Sequence, residues 1–511
     1  MRLAVFILQI ILPLTTSFLI HNNPTRIMAR APYSVLKMSS TSSNSKKSCA
    51  IIGGGIAGLS CAQHLQSKYD TTVFDTGRLR PGGRCSSRFP KDRPKNKGAN
   101  QNSILSQYTI DHAAQILTAP QSAKGEKDQN QDQDQFGMFR MQLDQWEEVG
   151  LVKRFPQNSV VEIAREGGNG NGKEGNGNGN GNTEQTKDSP PVFRPVNSNS
   201  MYYCTEGMGS IPLSILNVNK IHIEQDVWIS PSSGVKFVGT KDVPKWSVQT
   251  NGKKFGTFDH VVIAHNGKCA DRLMSRTPAK DLHSLLRVDF RPTVPAWGGK
   301  RMTLNSIYSL TVALKKNKKG KNISDIVGDE TITALVKNEP ALRLMTNQGR
   351  KFGNNGNNDH EVWTILSSPQ FAKKFKGPQE NLPQERVDEV TALMLSSVEK
   401  SLGMSEGTLH DGLVKDSILQ LWGAAVPLNV WSPAGNTDAK NSGFMYDADN
   451  AVGVCGDWLL DPSVAGAWES GRRLANWMGE KESAGSVGLP SLGGEFKMSR
   501  ATAGSGIGTI K

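Results

Sequence analysis

Six residues, Gly53-Gly54-Gly55-Ile56-Ala57-Gly58, follow directly on the apolar run Cys49–Ile52. A glycine at the first position permits a tight turn, one at the third lets a pyrophosphate approach the backbone, and one at the sixth lets the following helix pack on the strand. That helix offers unpaired N–H groups and a positive dipole end to the phosphates, with Ile56 and Ala57 in its first turn. Asp75 ends the next strand-like run, Thr72–Asp75, where a carboxylate accepts hydrogen bonds from ribose hydroxyls. The chemistry read from this spacing is the binding of a dinucleotide, although a glycine turn can also arise by chance.

Beyond Asp75 the chain reads Gly77-Arg78-Leu79-Arg80-Pro81-Gly82-Gly83-Arg84. Paired glycines flanked by arginines suit a loop that wraps a pyrophosphate, with Arg78, Gly82, Gly83 and Arg84 as its candidate contacts. The alternative is a basic, glycine-rich surface loop. Near the other end, the apolar run Ala451–Cys455 is followed by Gly456-Asp457-Trp458 and then by Val464-Ala465-Gly466-Ala467-Trp468-Glu469-Ser470-Gly471. A strand ending in Gly456 and Asp457 places a carboxylate beside the ribityl and phosphate part of a flavin dinucleotide. Small residues such as Gly466 and Ala467 open a helix whose N-terminus stabilises negative charge on the flavin's pyrimidine end. Close packing of a buried strand, turn and helix is the competing explanation. No nucleophile triad and no metal-ligand spacing occurs, so no catalytic side chain is assigned; hydride transfer to a flavin needs neither.

These motifs require a strand–helix–strand opening and a strand returning to the same sheet from far along the chain. The sequence has 511 residues, 37% of them hydrophobic, enough for two or three cores. The formal charge of +13 is not gathered into a stripe with interleaved aromatics, which argues against nucleic acid as a partner and for a small-molecule substrate. Residues 1–17 read as a signal peptide and 18–46 as a transit peptide rich in Ser and basic residues, an arrangement that resembles leaders addressed to plastids (chloroplasts). Pro13, Thr15, Thr16 and Ser17 interrupt the apolar run, so no stable membrane span is expected after processing, an uncleaved anchor being the alternative. Six scattered cysteines without a C-x-x-C pair indicate neither a disulfide framework nor zinc.

The expected organisation is a discontinuous cofactor domain in three parts, 47–120, 201–290 and 441–482. A cap segment spans 121–200 and a second, substrate-side domain 291–440, with a disordered tail at 483–511. Within the cap, Gly167–Asn182 is almost wholly Gly and Asn and reads as a disordered insertion. Polar breaks at Gln121–Gln135, Lys315–Lys321 and Asn354–Asp359 read as surface loops. Short β-rich runs between Ile221 and Ala264, among them Val227–Ile229, suggest a small antiparallel addition. Tyr308–Leu314 and Val362–Leu366 read as strands of the second domain. Pro383–Leu402 reads as an amphipathic helix on which Val387, Val390, Leu393 and Met394 have helical spacing.

Taken in order, Ile51–Gly58, Val73–Arg84, Ile110–Ala119, Gly207–Ile211, Phe258–Ala264, Trp363–Phe371 and Val454–Gly471 resemble the renalase-like branch of the FAD-dependent amine oxidase superfamily. The resemblance implies an α/β fold: a discontinuous glutathione-reductase-type Rossmann domain holding FAD non-covalently, with an α+β substrate domain. It implies that Gly53, Gly55 and Gly58 hold the pyrophosphate, Asp75 the adenosine ribose, and Gly83 and Arg84 the phosphates and flavin edge. Val227 would hold adenine through its backbone, Asp457 the ribityl or phosphate, and Ala467 the flavin edge. The chain departs from the family pattern at Ala113, where a glycine is usual, leaving Asp111, His112 and Gln115. Cys455 lacks the context for covalent flavin attachment. His265, Asn266, Trp422 and the Pro427 region are candidates for either the site or ordinary packing. The implied activity is hydride transfer from a small amine or a reduced nicotinamide-type substrate. The alternatives are an oxidoreductase of isoprenoid or pigment precursors, or a flavin-binding protein without catalysis.

Overall fold

In the run Cys49–Ile52 no polar residue interrupts the strand, as expected where both faces of a parallel sheet are covered. The computed structural model describes residues 46–90, 92, 103–118, 120, 134–165, 190–231, 233–316, 322–353, 359–379, 381–409, 412–434, 442–480 and 485–499. Here Lys47–Ile52 pairs in parallel with Tyr69–Phe74 on one side and His260–Ile263 on the other. The full sheet has six strands in the order Ile223–Glu224, Tyr69–Phe74, Lys47–Ile52, His260–Ile263, Val452–Cys455 and Phe444–Asp447, the last antiparallel to its neighbour. Three separated stretches of sequence therefore build one sheet.

The two-residue period of the central strand divides the interior. Cys49 and Ile51 enter a core with the helix Ile56–Leu65, whereas Ala50 and Ile52 enter another with Trp246 and Phe258 of an antiparallel three-stranded addition. The helix Val464–Glu480 lies against Ile56–Leu65 so closely that a Cβ on Gly471 would stand 2.1 Å from the Ala57 carbonyl oxygen. Within the addition the strands are Val235–Phe237, Trp246–Gln249 and Lys254–Phe258; Val227–Ile229 is not a strand, because the Val227 N–H is taken by the Asp75 carbonyl at 2.9 Å.

A second sheet of seven strands has the order Val414–Trp422, Ile307–Lys315, His360–Ser367, Leu342–Asn347, Thr333–Val336, Val160–Arg165 and Pro191–Pro195. The helix Gln384–Leu402 buries Val390, Met394, Leu395, Val398 and Leu402 beside it. Leu393 departs from the expected stripe and is 39% exposed.

Three expected boundaries are corrected. Strands 160–165 and 191–195, placed in a cap at 121–200, are the last two members of the seven-stranded sheet, because Val160–Ile163 pair with Thr333–Val336 and 191–195 pairs with 161–165. Asn429–Pro433, placed in the substrate domain, instead pairs with Gly494–Met498, and Trp431 packs on Phe496 at 5.2 Å. The tail is therefore ordered from 485 to 499: paired backbone and a buried Phe496 offset its ordering cost. The leader through residue 45, the Gly167–Asn182 tract and most of Gln121–Gln135 lie outside the described residues.

Candidate functional site

The turn after the first strand works because its glycines meet three different demands. Gly53 has φ +117°, and a Cβ there would stand 2.9 Å from the Ala264 carbonyl oxygen. Gly58 packs the helix on the turn, its notional Cβ 1.9 Å from the Gly53 oxygen, so it serves the fold and does not line the cavity. Gly55 is the opposite case: a Cβ there would meet nothing within 4 Å. That open cradle at a helix N-terminus is where a pyrophosphate has room.

Asp75 holds the turn as well as facing the cavity. Its carboxylate accepts the N–H groups of Gly54 and Gly77, each at 3.0 Å. Burial raises its pKa, and those backbone donors counteract part of the rise. The paired-glycine loop folds back on the same turn, with Gly82 N–H donating to the Gly54 carbonyl at 2.9 Å and bridging to Gly55. Gly82 and Gly83 both have positive φ, +136° and +56°, which explains why two glycines stand there.

The Arg84 guanidinium reaches from this loop to the Asp457 carboxylate at 2.7 Å, and also donates to the Ala425 carbonyl at 2.7 Å. Burial works against its charge, but the field and hydrogen bond of Asp457 prevail and its pKa is raised. The ion pair joins the motif after the second strand to the motif at the far end of the chain. Between them opens a cavity of about 530 Å³, in the range of small-molecule sites. Its wall takes in Gly53, Gly55, Ile56, Ala57, Asp75, Gly82, Gly83, Arg84, Val227, Gly456, Asp457 and Ala467. Ser463 caps the helix Val464–Glu480 by accepting the Gly466 N–H at 3.0 Å, and Ser463, Val464 and Ala467 bring that N-terminus into the wall.

Two other expected contacts fall outside the wall. Arg78 is exposed and takes no part in it. Gly466 instead admits the Asp461 backbone, its notional Cβ 1.9 Å from that carbonyl oxygen. Val227 does line the cavity, but with its N–H spent on Asp75 only its carbonyl is left for a base. Cys455 is fully buried with its sulfur 3.7 Å from the Ala57 carbonyl oxygen, away from the cavity. His265 and Asn266 both stand in the wall, and burial lowers the His265 pKa.

Several wall residues were not singled out from the sequence. Ala114, Ile116 and Thr118 line one side, whereas Ala113 is fully buried and lies outside the wall. Their alternation along Ile110–Ala119 is the pattern that marks them. Of the two readings left open for Trp422 and the Pro427 region, the wall takes in Trp422 and Val426 but not Pro427. Gln379, whose side-chain oxygen accepts the Gly423 N–H at 3.0 Å, comes from a loop with no periodicity at all.

Behind Trp422, the His112 ring stacks on the indole at 5.7 Å and 12°, its Nε2 is 3.0 Å from the Ser86 hydroxyl, and its carbonyl accepts the Trp422 N–H at 3.1 Å. Burial, with the nearby Arg88 charge, lowers the His112 pKa to about 4. Unfolded chains take up this proton as pH falls through 6.5, while the folded protein holds the ring neutral until about pH 4, so stability declines across that window and is flat above it. The loss attributable to His112 is on the order of 3 kcal/mol by pH 4. Denaturant unfolding at pH 7 and pH 4.5 should show a smaller decline for His112→Asn than for the wild type; equal declines refute the assignment.

The donors and space fit FAD: a ribose acceptor at Asp75, an open phosphate cradle at Gly55, a second loop at Gly82–Gly83, and a helix N-terminus at Val464. Residues 51–125 match the family model described as an NAD(P)-binding Rossmann-like domain. No curated protein matches the sequence. Among solved structures, the flavin-dependent halogenase CmlS is 12% identical with a TM-score of 0.41, over 86% of this chain and 58% of its own, so the chain spans little more than half the halogenase. Wild-type putrescine oxidase bound to putrescine is 12% identical with a TM-score of 0.42, over 84% of this chain and 98% of that one. Reduced UDP-galactopyranose mutase is 10% identical with a TM-score of 0.47, over 86% and 93%.

Proposed function

We propose that the protein is an FAD-dependent oxidoreductase that takes hydride from a small, uncharged organic substrate. The observation that carries this reading is the 2.7 Å Arg84–Asp457 contact, which brings the two glycine-bearing motifs to one cavity. FAD, when bound, supplies the two-electron acceptor. The chain's own residues do the rest: Asp75 and Gly55 hold the adenosine and pyrophosphate parts, and the helix N-terminus at Val464 favours negative charge on the reduced ring. Trp422, braced by His112, offers a flat apolar wall that orients a planar substrate and excludes water.

Charge decides between substrate classes. Among the described residues the carboxylates in the wall are Asp75, occupied by the glycine turn, and Asp457, occupied by Arg84. An ammonium entering beside Ala114, Ile116, Thr118 and Trp422 meets no counter-charge, and burying an unpaired charge is costly. A neutral ring of the reduced-nicotinamide type is therefore favoured over an aliphatic amine. The two-part leader supports action in a plastid.

Among the described residues the four buried hydrophobic clusters lie between Cys49 and Phe496, so the chain from Lys46 onward carries cores of its own. Expressed in that form, the protein should be yellow as isolated or after addition of FAD. Anaerobic addition of dihydronicotinamides should bleach it, with simple alkylamines slower. Protein that refuses FAD overturns the reading, and bound FAD that no donor reduces overturns its catalytic part.

A further inference from the structure

We propose that the loop 291–301 and the neighbouring segment 373–379, which carries Gln379 of the cavity wall, form a docking surface for an anionic lipid bilayer. Trp297 is 62% exposed at the tip of this loop, next to the exposed Pro295 and Ala296. That exposure is built in. The Asn429 side chain donates to both the Gly298 and Arg301 carbonyls, at 2.6 and 2.7 Å, and Gly298 packs so tightly that a Cβ there would lie 1.9 Å from the Phe496 oxygen. A turn pinned at its base thus holds an indole out in solvent, the placement that suits a bilayer interface.

Charge surrounds the tip. Arg291, Lys300 and Arg301 are all exposed, and the acid within reach, Asp289, is shared at 3.7 Å with Arg291 and 3.8 Å with Arg301. Lys376 adds a further cation, its ammonium 4.7 Å from the Phe290 ring centre. That contact ties the loop's flank to the segment that carries Gln379 into the cavity wall, so the basic, indole-tipped face adjoins the cavity's lining. Among the described residues no helix is long and apolar enough to cross a membrane. A second copy of the chain would present the same cations and repel; anionic headgroups attract them, and the indole and Pro295–Ala296 enter the headgroup boundary.

The test is sedimentation of the Lys46–Lys511 protein with vesicles of phosphatidylglycerol and phosphatidylcholine in equal parts, against phosphatidylcholine alone. Binding should favour the anionic vesicles by about tenfold or more, and Lys300→Glu/Arg301→Glu should abolish that preference. Trp297→Ala should weaken binding several-fold while far-ultraviolet circular dichroism and the flavin spectrum stay as in the wild type. Equal binding to both vesicle types, or no effect of Trp297→Ala, overturns the proposal. So does equally tight, salt-sensitive binding to single-stranded RNA that phosphatidylglycerol vesicles fail to displace, which would mark a nucleic-acid surface instead. The outcome does not depend on whether FAD is reduced by any donor.

Discussion

Gly55→Val is expected to yield a folded protein that has lost its cofactor. The backbone at Gly55 is extended, with φ −77° and ψ −179°, a conformation open to valine. Its new side chain would meet no protein atom at its Cβ, so the turn itself need not move. The methyl groups would instead occupy the cradle that a pyrophosphate needs. Affinity for FAD should fall by about a hundredfold or more, near 2.7 kcal/mol. Gly58→Ala is the informative contrast, because its Cβ would press on the Gly53 carbonyl oxygen from 1.9 Å. That variant should lose about 1–3 kcal/mol of stability along with the flavin. Circular dichroism, denaturant midpoints and the ratio of flavin to protein absorbance separate the two effects. Wild-type flavin content in Gly55→Val would place the phosphates elsewhere.

Lys351→Ala should cost about 3–5 kcal/mol of stability, the largest single loss foreseen outside the cavity. Lys351 and Asp111 form an ion pair at 2.7 Å with neither side chain exposed to solvent. The Lys351 ammonium also donates to the Gln115 carbonyl at 2.6 Å, and the Asp111 carboxylate accepts the Met208 N–H at 2.8 Å. Gln348 completes the network, donating to Gln115 Oε1 and accepting the Asp111 N–H, each at 3.0 Å. These groups tie the short strand Ile110–Asp111 to the turn of helix Gln348–Lys351 that follows a strand of the seven-stranded sheet. Removing the lysine strands a buried carboxylate with no opposite charge. Removing both charges, as Asp111→Asn/Lys351→Met, should recover a substantial part of the loss, since neither partner is then left alone. Urea unfolding of the wild type, both single variants and the double variant measures this coupling. Strict additivity would show that the pair acts independently.

The parts of the site readable from sequence are those whose requirement is local. Gly53 needs a positive φ, Gly58 a helix within contact of its own turn, and Asp75 a place one strand further on; each demand is met within a few residues and leaves a mark at fixed spacing. Gly466 and Arg78 show the limit of such marks. The glycine at 466 serves the close approach of the Asp461 backbone and not the cavity, and the arginine shares a basic loop with Arg84 yet faces solvent. Gln379, Ala114 and Trp422 meet only because a seven-stranded sheet is set against the cofactor domain, and no spacing within any one segment encodes that encounter.

By itself the sequence determined a strand–glycine turn–helix, an acid directly after the second strand and a returning Gly456-Asp457 strand, because backbone sterics and short hydrogen bonds act over a few residues. Only the tertiary structure decided that Arg84 pairs with Asp457, that Lys351 neutralises Asp111, that residues 160–195 join the second sheet and that Phe496 seals Trp431. Those contacts join residues far apart in the chain, and their energy comes from burial and charge pairing that exist only once the two sheets are in place.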